Sequence, residues 1–374
     1  MMQDKKFLPG KGDKLYRDEK YIAAVFGGKR KVLSTSPQNG GLRADLKAVY
    51  NYDGRQGGKK EIRLEGGTYE SHMRYVSDSI IGLSADSSSG IMTAASMKNA
   101  SYVKTQYRDI AVSVIATGGI EVNGGRAGDR ASWYEKDGNW VELGVEHSHT
   151  LGTINIMVFI NADLTDGALA KALITCTEAK TAAIQELCIA SRYSHGLATG
   201  SGTDGTIIVA DLESDFKITE TGTHSKIGEI IGCTVKEAVM ESLFLQTGAG
   251  ARMQHNAFRR LERFCITADA AASRAVETGA IEPAEQAEFK RQAEKWACCG
   301  GAVSWAALEA HLLDEREWGM LKEKEVLDAE RKLLCAFGMD GFHMEENAVL
   351  MDHIIFAIKE RIWAGGIDIY RPLC

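Results

Sequence analysis

Lys180 stands where an apolar residue is expected. A helix capped by Asp163 or Thr165 and running to about Leu187 has a buried stripe of Leu169, Leu173 and Cys176 that continues through Lys180 to Ile184 and Leu187. An unpaired ammonium on that stripe would be costly. Lys180 therefore either snorkels to the edge or meets a carboxylate or substrate group in a cavity at the helix's inner face. Glu178 lies two residues earlier, about 200° around the helix, so it is expected to pair with a different element while remaining a candidate carboxylate.

Gly200-Ser201-Gly202-Thr203-Asp204-Gly205 satisfies the G-x-G-x-x-G pattern, but a strand follows it where a dinucleotide site needs a helix. The reading retained is a loop whose backbone N–H groups face a cleft, with Thr203 and Asp204 at its end; the competing one is a structural turn. His224, where Thr221-Gly222-Thr223 meets a helix start, is expected to be a neutral imidazole able to take a proton or bind a metal. Ser225 and Lys226 could assist an oxyanion, unless Thr223 or Ser225 is only an N-cap beside a surface histidine. His147-Ser148-His149 has a spacing that puts both rings on one side of a strand, where they could share a divalent metal with Asp204 or His224. The run from Gly118 to Asp129 is too glycine-rich for regular structure and carries Glu121, Asn123 and Arg126 at its tips, either lining a ligand or closing a hairpin.

These residues must be held by a scaffold, and the composition bounds it. The 374 residues can form one large and one smaller domain, and 51 acidic against 44 basic residues argue against a nucleic-acid face. The N-terminal stretch does not read as a signal peptide and no apolar run approaches bilayer length, so a cytoplasmic protein without a membrane span is expected. Eight scattered cysteines read as reduced thiols, and 39 glycines against four prolines imply many tight turns. Strands are expected at Tyr21 to Phe26, Lys31 to Ser36, Gly90 to Met97, Asp109 to Thr117, Thr153 to Ile160 and Ile207 to Ala210. Helices are expected at Thr68 to Leu83, up to Leu187, and from near His224 to about Leu245. After Gly248-Ala249-Gly250 the chain reads as about five helices. The fold class is thus α/β, a mixed α+β layered catalytic domain over 1–247, followed by an all-α domain over 248–374.

Taken in order, these segments resemble the adenosylcobinamide amidohydrolase (CbiZ) family. The resemblance rests on Val32-Leu33-Ser34-Thr35-Ser36 with Asn39-Gly40-Gly41, Gly90 to Ala94, Ala116-Thr117-Gly118-Gly119 with Asn123 and Arg126 to Asp129, and Gly152 to Ile156. It continues through Thr175 to Ala183, Ala198 to Asp204 and Thr223 to Glu229. The family often has Thr where Ser201 stands. His147 and His149 lie in a variable stretch, and the region after 248 has no counterpart.

The resemblance implies hydrolysis of the amide joining aminopropanol to a propionate of a corrin ring, giving adenosylcobyric acid in cobamide salvage. The substrate is then a cobalt corrinoid, no firm cofactor follows, and water activation by a divalent metal stays open. His224 is expected as base or acid, Asp204 as its orienter or a water-activating carboxylate, Lys180 with the Gly200 to Thr203 backbone as electrostatic stabilisers, and Thr203 or Ser225 as a potential nucleophile. Asn39, Gly40, Asn123, Arg126, Asn155, Gly200, Ser201, Gly202 and Lys226 are the expected substrate contacts. The rival readings are a corrinoid-binding protein without activity and, more weakly, a nucleotide-binding oxidoreductase. The helical tail is expected to serve self-association, ahead of partner docking or a lid.

Overall fold

The runs Ile110–Thr117, Asn155–Ile160 and Gly205–Asp211 are too continuously apolar for strands with one wet face, and each is buried nearly end to end. They form the centre of the six-stranded sheet, the largest among the described residues. The computed structural model describes residues 2–4, 7–55, 64–137, 139–144, 152–337 and 350–359. In chain order the strands are β1 (Met2–Asp4), β2 (Lys14–Arg17), β3 (Tyr21–Val25), β4 (Arg30–Ser34), β5 (Gly41–Arg43), β6 (Ala48–Asp53), β7 (Ser88–Thr93) and β8 (Ser101–Tyr107). There follow β9 (Ile110–Thr117), β10 (Trp133–Lys136), β11 (Asn139–Glu142), β12 (Asn155–Ile160), β13 (Asp163–Leu164), β14 (Gly205–Asp211) and β15 (Lys217–Ile218).

One sheet has the order β1-β2-β3-β6-β7, the other β5-β4-β14-β12-β9-β8. Every pairing in them is antiparallel except β6 with β7 and β12 with β14. Leu15, Ile22, Val49 and Ile91 of the first sheet share one buried cluster with Val32, Ile115, Met157, Phe159, Ile207 and Val209 of the second. The far face of the first sheet buries Tyr21, Ala23, Tyr50 and Tyr52 against Met73 and Val76.

Helix α1 (Tyr69–Tyr75) starts at a Thr68 capping box. The expected single helix to Leu83 changes at Val76–Ile81 into a π-helical turn that ends on Gly82 at φ 78°. Helices α2 (Asp166–Glu186) and α3 (Lys226–Thr247) pack on each other, α2 against β14 and α3 against β8 and β9. Their starts are capped by Thr165 and Ser225, and α3 stops at Gly248 with φ 77°.

The chain divides into two compact units, Met1–Ala249 and Gly250–Cys374. The first is mixed α and β; the described part of the second is helical, with α4 (Ala251–Gln254), α5 (Ala257–Leu261), α6 (Ala268–Glu277), α7 (Gln286–Ala297), α8 (Gly300–Glu317), α9 (Glu323–Ala336) and α10 (Leu350–Ile358). Phe289, Trp296 and Trp305 are buried in its core. None of the described helices is long and apolar enough to cross a membrane.

Candidate functional site

Strand direction decides which loops meet. Because β12 and β14 are parallel, α2 must carry the chain back between them, which brings the last turns of α2 to the start of β14. Lys180 thereby meets Asp204: Nζ donates to Oδ2 at 2.5 Å, with both side chains about nine-tenths buried at 12% and 13% exposure. Lys180 thus meets a carboxylate, one of the expected ways of accommodating its charge. Among the described residues Asp204 is the hydrogen-bond partner of Lys180, so two of the three ammonium N–H groups remain uncommitted.

Asp204 is held from all sides. Oδ1 accepts from Ile154 N–H at 3.0 Å and Ser201 Oγ at 2.6 Å, and Ser201 N–H lies 3.2 Å from Oδ2. Ser201 Oγ is 3.3 Å from Thr203 Oγ1, which donates to Gly152 O at 3.0 Å and touches Thr153 Oγ1 at 3.0 Å. A hydroxyl chain thus runs from exposed Thr203 through buried Ser201 to the carboxylate beside Lys180. Thr153, absent from the expected residues, belongs to this chain; its place in Gly152-Thr153-Ile154-Asn155 was the available signal.

The loop geometry corrects one expectation. Asp204 folds the segment back on itself, so N–H groups of Gly200, Ser201 and Thr203 are spent on Gly125 O, the Asp204 carboxylate and Ser201 O. They are not an array of donors facing outward. Gly202, at φ 72° and exposed, forms the tip. Gly200 is fixed by close approach: a Cβ there would lie 2.4 Å from Asp204 Oδ2 and 2.9 Å from Lys180 Nζ. Gly200→Ala should therefore lower stability by about 1–3 kcal/mol through overpacking and reduce activity with it. An unchanged urea midpoint would show that the pair does not sit against this glycine.

His224 goes elsewhere. Lys226 Nζ lies 4.9 Å from the Tyr107 ring, and Tyr107 pairs with Ile110 at one end of β9. Asp204 adjoins Gly205, which pairs with Asn155, which pairs with Thr117 at the other end of β9. Seven residues of extended chain separate these ends, roughly 23 Å. Asp204 cannot orient His224 across that distance, and neither Ser225 nor Lys226 joins the cluster. Ser225 is the N-cap of α3, accepting from Gly228 N–H at 3.0 Å; His224 is exposed; Lys226 pairs with Glu229 at 2.5 Å. Glu178 is also exposed, away from the Lys180 face of α2.

Several expected substrate contacts brace neighbouring backbone, and one of them, Asn155, does so from the interior. Asn155 is 1% exposed, accepting from Gly205 N–H at 3.0 Å and donating to Asn51 Oδ1 at 2.8 Å; Asn51 in turn donates to Thr117 Oγ1 at 2.9 Å. This buried chain joins the two sheets. Asn39, at φ 49°, donates to Ala85 O at 2.6 Å and Ser88 O at 2.7 Å, while Gly40 closes the same turn with no room for a Cβ beside Ser36 O. Arg126 donates to Leu197 O at 3.0 Å, and Asn123 Nδ2 to Gly152 O at 2.7 Å. The Gly118 to Asp129 run is thus a packed loop, joined to the next by Gly125 opposite Gly200.

Four glycine-rich segments nevertheless converge at the Asp204 end of the six-stranded sheet. They follow β4, where Thr35 N–H donates to Thr206 O; follow β9; precede β12; and precede β14. Cys176, one turn before Lys180, is not a nucleophile there, since burial pushes its thiol up to about 12 despite the lysine. Among the described residues no three His, Cys, Asp or Glu side chains gather as a metal site, and His147 and His149 lie outside the described residues.

Comparison with known proteins adds a family. Residues 8–251 match the family model for adenosylcobinamide amidohydrolase. An uncharacterized protein of Methanocaldococcus jannaschii is 34% identical over 239 residues, 63% of this chain and 89% of that protein. The matched region ends where the helical unit begins.

Proposed function

The chain belongs to the CbiZ family of adenosylcobinamide amidohydrolases, and from that premise we propose that it hydrolyses the amide joining aminopropanol to a propionate side chain of the corrin ring. The products are adenosylcobyric acid and protonated aminopropanol, and the setting is cobamide salvage. The observation that carries the location of the chemistry is the Lys180–Asp204 pair, with its spare ammonium donors beside an exposed hydroxyl chain where the glycine-rich segments meet.

Amide hydrolysis needs a nucleophile, charge stabilisation for the tetrahedral oxyanion and a proton for the departing amine. Lys180 supplies the positive charge. Thr203 attacks the carbonyl carbon, and its proton passes by way of Ser201 and Asp204 to the amine nitrogen as the C–N bond breaks; water then hydrolyses the resulting threonyl ester, releasing the free acid and restoring the hydroxyl. A water bound at the Thr203 hydroxyl that attacks in its place gives acid and amine without the ester. Asp204 acts mainly by holding Lys180 and the loop, because five donor contacts already surround its carboxylate.

Purified, metal-stripped protein incubated with adenosylcobinamide should release aminopropanol and adenosylcobyric acid, with and without added divalent metal compared in parallel. Corrinoid binding without release in both arms would favour a binding protein over an enzyme. The remote placement of His224 gives a second check: His224→Ala should leave kcat within about threefold of wild type, the scale of a surface substitution. A loss of a hundredfold or more would move the chemistry to the other end of the sheet.

A further inference from the structure

Among the described residues the hairpin β10–β11 forms a two-stranded sheet of its own. Its Trp133, Tyr134, Trp140 and Val141 are 46%, 55%, 67% and 56% exposed. An isolated two-stranded hairpin wet on both faces is marginal in water, and so much aromatic surface suits a site that something covers. The register sets Trp133 opposite Glu142 and Glu135 opposite Trp140, so these four side chains share one face; Tyr134 and Val141 share the other. The two indoles lie on a diagonal of that face, near enough for one broad ligand to touch both.

The chain enters the hairpin from a loop tied down beside the candidate site. It departs through Asp129, whose carboxylate accepts from Ser191 Oγ and Arg126 N–H, each at 2.7 Å. Further along the sequence the Gly152 carbonyl accepts from Asn123 Nδ2 and Thr203 Oγ1. The hairpin therefore begins four residues beyond Asp129, in the loop whose Gly125 pairs with Gly200 of the segment leading to Thr203 and Asp204.

We infer that the face bearing Trp133, Glu135, Trp140 and Glu142 is a binding platform for the corrinoid substrate. This rests on the function proposed above. A corrin is a broad, largely apolar macrocycle fringed by amide side chains. Its ring offers surface to the indoles, and its amide N–H groups find an acceptor in the exposed Glu142 carboxylate. The platform contributes binding energy remote from the reacting amide, which is how a large substrate is positioned at a small catalytic group.

The test uses the full chain with adenosylcobinamide, measuring steady-state kinetics and quenching of indole emission. Trp133→Ala and Trp140→Ala should each raise KM about tenfold, the effect of losing one well-packed aromatic contact, with kcat changed less than about twofold. Trp140→Phe should restore most of the affinity, and Tyr134→Ser, on the opposite face, should leave KM unchanged. Matching far-UV spectra and urea midpoints establish that the variants are folded. Unchanged KM and unchanged corrinoid affinity in both alanine variants overturn the platform. So does a fall in native mass at unchanged KM, which assigns the face to a second copy of the chain. Wild-type protein that neither binds nor cleaves the corrinoid instead removes the proposed function, and the platform falls with it.

Discussion

Lys180→Met is expected to lower kcat for aminopropanol release by about 10²–10³-fold, the scale of losing one preorganised oxyanion donor, while leaving a folded protein. Methionine keeps most of the length and an unbranched apolar stem, so the substitution removes charge with little change of volume. Asp204 keeps its contacts from Ile154 N–H, Ser201 N–H and Ser201 Oγ. The stability loss should accordingly be about 1–3 kcal/mol, below that of orphaning a wholly buried carboxylate. Kinetics and urea unfolding separate the two roles. If kcat is retained while stability falls, Lys180 is only a brace and the electrostatic assignment is wrong. The double variant Lys180→Met with Asp204→Asn should regain part of the stability, since neither charge is then left alone, and none of the activity.

Arg30 carries the largest expected effect on stability. It is 1% exposed, and all five of its N–H groups are used: Nε on Asp13 Oδ2, Nη1 on Lys29 O and Asp211 Oδ1, Nη2 on Lys11 O and Asp13 Oδ1. The guanidinium ties the Gly10–Asp13 turn to β4 and to the end of β14. Arg30→Met should cost about 3–5 kcal/mol, because it leaves two carboxylates buried without their cation. Arg30→Lys should recover little, since three donors radiating from one nitrogen cannot reproduce a planar fork of five. A urea-derived loss below about 1 kcal/mol for the methionine variant would mean that water compensates both aspartates. Asp211 lies at the opposite end of β14 from Asp204, so the Arg30 variants that remain folded should keep a near-normal KM. That contrast distinguishes a stability residue from a site residue.

Much of the scaffold was legible because its signals are local. A capping hydroxyl acts on the N–H three residues on, which Thr165 and Ser225 both do. An αL stop needs only a glycine, which Gly248 supplies. Strands buried on both faces announce themselves as unbroken apolar runs, as β9, β12 and β14 do. The strands missed, such as β6 and β8, mix tyrosine, asparagine, lysine and glutamine into their runs, and the tertiary setting alone buries Asn51 and Tyr50.

The anomaly of Lys180 was also legible in the sequence: a cation on an apolar stripe has to find an anion or an exit. Which anion it finds was settled by topology, since the parallel pairing of β12 and β14 turns α2 back toward the loop before β14. The same topology separates His224 from Asp204. Strand β14 and the two-residue β15 lie between them in sequence, and the chain leaves β14 at the end of the sheet opposite the one where it enters. Side-chain chemistry nominated both residues equally. Asparagines at 39, 123 and 155 met the same limit, because an amide that lines a ligand and an amide that braces a turn have identical composition and differ only in what folds against them. The sequence by itself determined the element types, the caps and the oddity of a buried lysine, all consequences of contacts within a few residues. The tertiary structure alone decided which polar groups meet, because strand direction and sheet order are set by packing between segments far apart in the chain.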